Sequence, residues 1–240
     1  MCDGSENGKK STTEKNIPVA ALSAAQSHVD VCIFIDPLYD FLSPEGVFCK
    51  TYGEEDCAPI LSVHKSLNNL YHHLKSECPS VDIIIVSSVY EATQFETVPN
   101  LCTTPEGYKV LLDDCPVDEN NRVCGNHTYI QKTANSFFSC TDEDRERIQQ
   151  LCAHRHILVC GVTTVSCVSV AVSNLLDNTT CRKVLVARNA VASRRRNTER
   201  EASLLGEWGR GAQHRVEVHD EWEQLLPACM SGVELLNDEI

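Results

Sequence analysis

The chain has 240 residues, 42% of them hydrophobic and 23% charged, with a formal net charge of −13. A chain of that length can bury a sizeable core as one α/β domain or two small ones. The acidic balance argues against a nucleic-acid partner, and no apolar run approaches the roughly 20 residues of a membrane span, so no membrane role is expected.

Residues 1–27 are rich in Ser, Thr, Lys, Glu and Ala with little periodicity, and read as a loose N-terminal arm before one domain over residues 28–240. The first sixteen residues carry Asp3, Glu6 and Glu14 and no apolar signal core. The 14 cysteines are therefore expected to be mostly reduced thiols in a cytoplasmic protein. No Cys-x-x-Cys occurs, and Cys124-Gly-Asn-His127 lacks a second pair, so no metal site is expected.

Val29-Asp-Val-Cys-Ile-Phe-Ile35 is a nearly continuous apolar run, the pattern of a parallel strand buried on both faces. It ends in Asp36-Pro-Leu-Tyr-Asp40-Phe41. A carboxylate just past a parallel strand sits where open α/β sheets place their ligands, although Asp before Pro is also an ordinary turn former. Ala58 to Leu74 has apolar residues at helical spacing, with His64, His72 and His73 expected on its edge or exposed face. Val81–Val86 reads as a second strand. An irregular stretch of about residues 89–127 follows, long enough that it is expected to cover the sheet edge and wall a pocket.

His127–Lys132 reads as a short strand ending in a lysine, followed by Thr-Ala-Asn-Ser-Phe137-Phe138. A lysine facing a pocket can stabilise a thiolate, with desolvation depressing its own pKa; an exposed edge lysine is the plainer alternative. Thr141 starts a helix with acids in its first turn that runs to about Ala153. Ile157–Cys160 is a strand that ends in Gly161, and a helix is expected to begin after Thr163-Thr164, with Cys167 in its first turn. There the helix end would favour the thiolate, and backbone N–H groups could hold an oxyanion. Residues 182–187 and 215–218 read as further strands, and 199–209 as a helix. Arg194-Arg-Arg196 with Arg200 is either an import or phosphate patch or a solvated lead into that helix. Asp220 is expected to cap a final helix through Leu226.

Strands and helices alternate throughout, which predicts one doubly wound, Rossmann-like α/β domain with a mainly parallel sheet of about six strands. Asp36, Lys132 and Cys167 then stand at the same end of that sheet. A carboxylate to take the thiol proton, an ammonium to offset the thiolate and backbone N–H groups for the oxyanion make a coherent nucleophile site.

The order Asp, Lys, Cys resembles the isochorismatase-like cysteine hydrolase superfamily, which includes nicotinamidases and carbamoylsarcosine and ureidoacrylate amidohydrolases. Its strand-end Asp-x-Gln-x-Asp-Phe is similar to Asp36–Phe41, its Lys and Ser-Ala-Phe to Lys132–Phe137, and its Gly-x-x-Thr-x-x-Cys-Val to Gly161–Val168. Residues 184–194 resemble the family's strand ending in Asp-Ala-x-Ala-Ser. The resemblance implies a three-layer α/β/α sandwich around a six-stranded parallel sheet, a thioester mechanism and a homo-oligomer. It implies Cys167 as nucleophile, Asp36 as base and Lys132 as electrostatic partner. A cis bond between Val162 and Thr163 would leave the N–H groups of Thr163 and Cys167 as the oxyanion hole. Phe41, Tyr90, Phe137 and Thr164 are the expected substrate-binding residues.

The departures bear on substrate. The family's Gln is Leu38, the Thr-Asp of nicotinamidases is Thr164-Val165, and the Asp-x-His of their metal site is absent. These differences favour a metal-independent hydrolase, without a cofactor, acting on a small-molecule amide or related C–N bond. A nicotinamidase-type amidase, a non-catalytic scaffold of the same fold and a thiol redox sensor are the alternatives.

Overall fold

A computed structural model describes residues 29–117, 127–210 and 215–226. The expected N-terminal arm, Cys124 and the chain beyond Leu226 lie outside the described residues.

Strand β1 (Val31–Ile35) leads into two short helices, α1 (Tyr39–Leu42) and α2 (Val47–Tyr52), and then the long helix α3 (Glu54–Glu77). Strands β2 (Asp82–Ser88) and β3 (Thr128–Lys132) precede helix α4 (Asp142–Cys152). Strand β4 (His156–Val162) runs into a π-helical turn, Thr164–Val168, that continues as helix α5 (Ser169–Asn178). Strand β5 (Lys183–Ala192), helix α6 (Thr198–Gly209) and strand β6 (Val216–His219) complete the fold.

The sheet has six strands in the order β3-β2-β1-β4-β5-β6, and every pairing between them is parallel. The interiors of β1, β2 and β4 are almost unbroken Val, Ile and Leu because both faces are covered. Cys32, Phe34, Ile83, Ile85 and Leu158 pack towards α3 on one face. Val31, Ile33, Ile84, Val159 and Val186 pack towards α4, α5 and α6 on the other. The result is the expected three-layer α/β/α sandwich. The strand order reverses between β1 and β4, and a crevice opens at that point, beyond the carboxyl ends of the strands.

Several elements differ from expectation for identifiable reasons. Helix α3 begins earlier, because Gly53 adopts φ +88° and lets α2 turn directly into it. Strand β2 is longer, since Ser87 and Ser88 stay paired with Gln131 and Lys132. Asp220 does not cap a final helix: the segment is a single 3₁₀ turn, Trp222–Gln224, and the Trp222 N–H donates to Asn189 Oδ1 at 3.0 Å. Of the arginine cluster, Arg195, Arg196 and Arg200 are exposed and form the solvated lead into α6, while Arg194 departs from that reading. Arg194 is buried, pairs with Asp56 at 3.2 Å and lies 3.4 Å from the centre of the Tyr52 ring.

Candidate active site

Each site residue stands at or just beyond the carboxyl end of a strand: Asp36 after the central β1, Cys167 after the central β4, and Lys132 on the edge strand β3. Asp36 follows β1 in the left-handed region, at φ +51°, while its N–H still donates to Val86 O at 2.9 Å. The backbone thus leaves the strand line but stays tied to β2, and the side chain turns across the sheet edge. Lys132 ends β3 directly opposite Ser88 of β2. Cys167 follows β4 through a close passage. Gly161 has φ +116°, and a Cβ there would fall 2.1 Å from Ile35 O, so only glycine lets the two strands come together. The Val162–Thr163 peptide bond is cis.

The π turn sets the Cys167 segment. Thr163 O accepts from the N–H groups of Ser166 and Val168, both at 3.1 Å, and passes over that of Cys167. The start of the turn is held by Ser193 Oγ, which accepts the Val165 N–H at 3.1 Å. Cys167 therefore lies in a widened turn ahead of α5 rather than in the first turn of a regular helix.

The three side chains converge. Lys132 Nζ is 3.0 Å from Asp36 Oδ2 and 3.6 Å from Cys167 Sγ. It also donates to Ser88 Oγ at 2.7 Å and Tyr90 Oη at 3.0 Å. Ser88 donates its single hydroxyl hydrogen to Asp36 Oδ1 at 2.7 Å, since a carboxylate can only accept. The 2.6 Å contact between Ser88 and Tyr90 is then made by the phenol donating to Ser88 Oγ. Asp36 Oδ2 faces the ammonium but makes no well-directed hydrogen bond.

The electrostatics correct two sequence expectations. Burial, with Asp36 adding to it, outweighs the pull of Lys132 and Tyr90 and pushes the Cys167 thiol up to about 11. The resting group is a thiol, not the thiolate that a helix N-terminus would give. The Lys132 pKa is raised, not depressed: burial opposes its charge, but Asp36, Cys167 and Tyr90 hold the proton in place. Burial first, then Asp36 and Cys167, raise the Tyr90 phenol well above its ordinary range, so it remains a donor.

Asp36 and Lys132 are fully buried, whereas Cys167 reaches a cavity of about 180 Å³. Phe41, Phe48 and Tyr52, from α1 and α2, form one wall; Phe95, Val98 and Leu101, from the irregular stretch after β2, form another. Thr97, Thr163, Ser166, Asn135 and Tyr90 complete the lining. Asp40 ties the walls together, accepting from Val47 N at 3.1 Å and Cys102 N at 2.6 Å.

Of the expected substrate-binding residues, Phe41 and Tyr90 line this cavity. Phe137 and Thr164 do not: both are fully buried, Phe137 in the core on the α4–α5 face against Phe138, Thr164 at the base of the π turn. The sequence reading missed Ser88, Asn135, Phe48, Tyr52 and Ser193. Ser88 had a usable signal: it stands at the end of an apolar strand run, as Asp36 does. Among the described residues, no group of three or more His, Cys, Asp or Glu is placed to hold a metal ion. His127 instead contacts the Tyr71 hydroxyl through Nε2 at 2.9 Å.

No model of a protein family matches the sequence, and no curated protein matches it. Solved structures do. The nicotinamidase/pyrazinamidase of Bacillus subtilis is 20% identical with a TM-score of 0.60, covering 80% of this chain and 100% of its own. An isochorismatase-like hydrolase of Alkaliphilus metalliredigens is 15% identical with a TM-score of 0.57, covering 79% and 93%. The N-carbamoylsarcosine amidase of Thermoplasma acidophilum is 15% identical with a TM-score of 0.52, covering 79% and 94%. Likeness over nearly the full length of each neighbour, together with six parallel strands in this order, establishes that the chain has the fold of the isochorismatase-like hydrolases.

Proposed function

We propose that the protein is a cysteine hydrolase that cleaves a small-molecule amide or related C–N bond through a thioester, without a metal. One observation carries the reading: a fully buried Asp36–Lys132 pair meets, at the point where the strand order reverses, a cysteine that opens into a pocket. A buried ion pair is expensive to assemble, and nothing in the packing of this sheet edge requires one.

The steps follow from the geometry. Asp36 Oδ2 takes the proton of Cys167 as Sγ attacks the carbonyl carbon, which removes the burden of a thiol that ionises only near 11. A C–S bond forms, and the carbonyl π pair moves to oxygen. The N–H groups of Thr163 and Cys167 are assigned to hold that oxyanion. Collapse breaks the C–N bond, and the protonated Asp36 gives its proton to the departing nitrogen. Water then attacks the thioester carbon as Asp36 takes its proton; collapse of the second oxyanion breaks the C–S bond, Asp36 returns the proton to the departing sulfur, and the acid leaves with the thiol restored. Lys132 keeps its charge throughout and offsets first the carboxylate, then the thiolate. The net reaction is amide plus water to carboxylic acid plus ammonia or amine.

The names of the structural neighbours, amidases among them, are consistent with this chemistry. The test is intact-protein mass spectrometry after brief incubation with a panel of small amides, with Cys167→Ala as control. The expected result is an acyl adduct on the native protein alone. Turnover retained by the alanine variant would overturn the mechanism.

A further inference from the structure

The lining of the cavity constrains the acyl group more than the catalytic residues do. Among the described residues it contains no Asp, Glu, Lys, Arg or His. Its walls hold two groups of rings: Phe41 and Phe48 lie 5.1 Å apart between ring centres and Phe48 and Tyr52 5.0 Å, while Tyr90 and Phe95 form a second pair at 4.8 Å. None of the nearest charges is part of the lining; Arg196, exposed to solvent, lies 5.6 Å from the centre of the Tyr52 ring. Asp36 and Lys132 face each other behind the floor, with no exposed surface. Arg194 stacks against Tyr52 from outside the cavity and is paired with Asp56.

A charged acyl end would leave water here and meet no counter-charge, which is costly. The polar side chains of the lining, Thr97, Asn135, Thr163 and Ser166, are uncharged, so a ring nitrogen would find no ionic partner here. A flat or branched hydrocarbon group would gain contact on several sides. The volume of about 180 Å³ lies below the roughly 300–1,000 Å³ of sites for drug-sized ligands.

We infer that the site selects an uncharged hydrocarbon acyl group of about one ring, such as a benzoyl or cyclohexanecarbonyl group, and rejects amides with a charged acyl end. This inference rests on the hydrolase reading for the reaction but on the wall residues for the selectivity, and the two can fail separately. Ammonia release would be measured for benzamide, cyclohexanecarboxamide, nicotinamide and succinamate with the native protein. Binding of the same four would be measured by calorimetry on Cys167→Ala, with Cys167→Ser as a second inactive form. The expected result is a preference for benzamide over succinamate of about 100-fold in both kcat/KM and affinity, as an unpaired buried charge demands. Nicotinamide is expected to show no advantage over benzamide.

Equal turnover of succinamate, or a tenfold preference for nicotinamide, would overturn the selectivity and leave the hydrolase reading standing. Selective binding of benzamide without turnover of any amide would overturn the hydrolase reading and leave the selectivity standing. Failure of both inactive forms to bind benzamide would overturn the selectivity. As an independent check, Phe95→Lys on the outer wall should lower the benzamide-to-succinamate ratio by at least about tenfold; an unchanged ratio would count against the inference.

Discussion

The floor and the walls of the pocket are built by opposite means. The floor consists of buried polar groups at strand ends, held in register by the sheet: Ser88 faces Lys132 because β2 and β3 pair there, and both reach Asp36 at the end of β1. The walls are aromatic side chains on two short helices and an irregular segment, joined by a single carboxylate, Asp40. A floor of this kind fixes atoms closely and tolerates little change. Walls of this kind determine what fits and can vary with modest loss. On the proposed function, chemistry resides in the first and selectivity in the second.

The sharpest break of that contrast is Cys167→Ala. Turnover should fall by on the order of 10⁴-fold or more, while the melting transition stays close to that of the native protein, because the side chain opens into a cavity. Calorimetry together with ammonia release checks both halves. Lys132→Met should abolish activity and also cost about 3–5 kcal/mol of stability, since it strands Asp36 as an unpaired buried charge. Urea unfolding measures the loss, and a variant as stable as the native protein would show that the pair is solvated.

A third test concerns pH. Cys57 and Cys152 are pushed up to about 12 by burial, and Cys167 to about 11, from an ordinary value of 9.0. Above about pH 9 the unfolded chain releases these protons while the folded chain retains them. Stability that is intact below pH 9 should therefore fall steadily between about 9 and 12. Unfolding midpoints measured across that window would expose any error of sign. At the walls, Arg194→Lys keeps the pairing with Asp56 but loses the flat stacking on Tyr52, and should cost about 1 kcal/mol with kcat little changed. The smallest effect is expected from Tyr52→Phe, which removes only an exposed 3.3 Å bond to Thr97 and should change kcat/KM by less than about twofold.

The floor was also the more legible part. Unbroken runs of Val, Ile and Leu declare buried parallel strands and place Asp36 and Cys167 at their ends, whereas Lys132 ends the mixed edge strand Thr-Tyr-Ile-Gln-Lys and was legible only through its position at the same end of the sheet. Phe137 and Thr164 could not be placed the same way. In loops and irregular turns no periodicity fixes where a side chain points, and both proved to be core. The protonation states were hidden for a different reason. Helix position suggests a thiolate at Cys167, but desolvation by residues far away in sequence dominates. Arg194 reads as surface charge until Tyr52 and Asp56, both distant along the chain, are seen to cover it.

The pairing of β1 with β4 at the centre of the sheet has a consequence for assembly. Val31 lies beside Ile157, and Ile35 beside Gly161, so the two strands that meet at the crevice are supplied by distant parts of the chain. Contacts of such long separation must close large loops before they return any stability, which slows folding. A ribosome that has not yet released β4 therefore carries Asp36 and Lys132 but neither their thiol partner nor the crevice. The proposed site is complete only once β4 has paired with β1 and brought Cys167 to Asp36 and Lys132, before β5 and β6 extend the sheet.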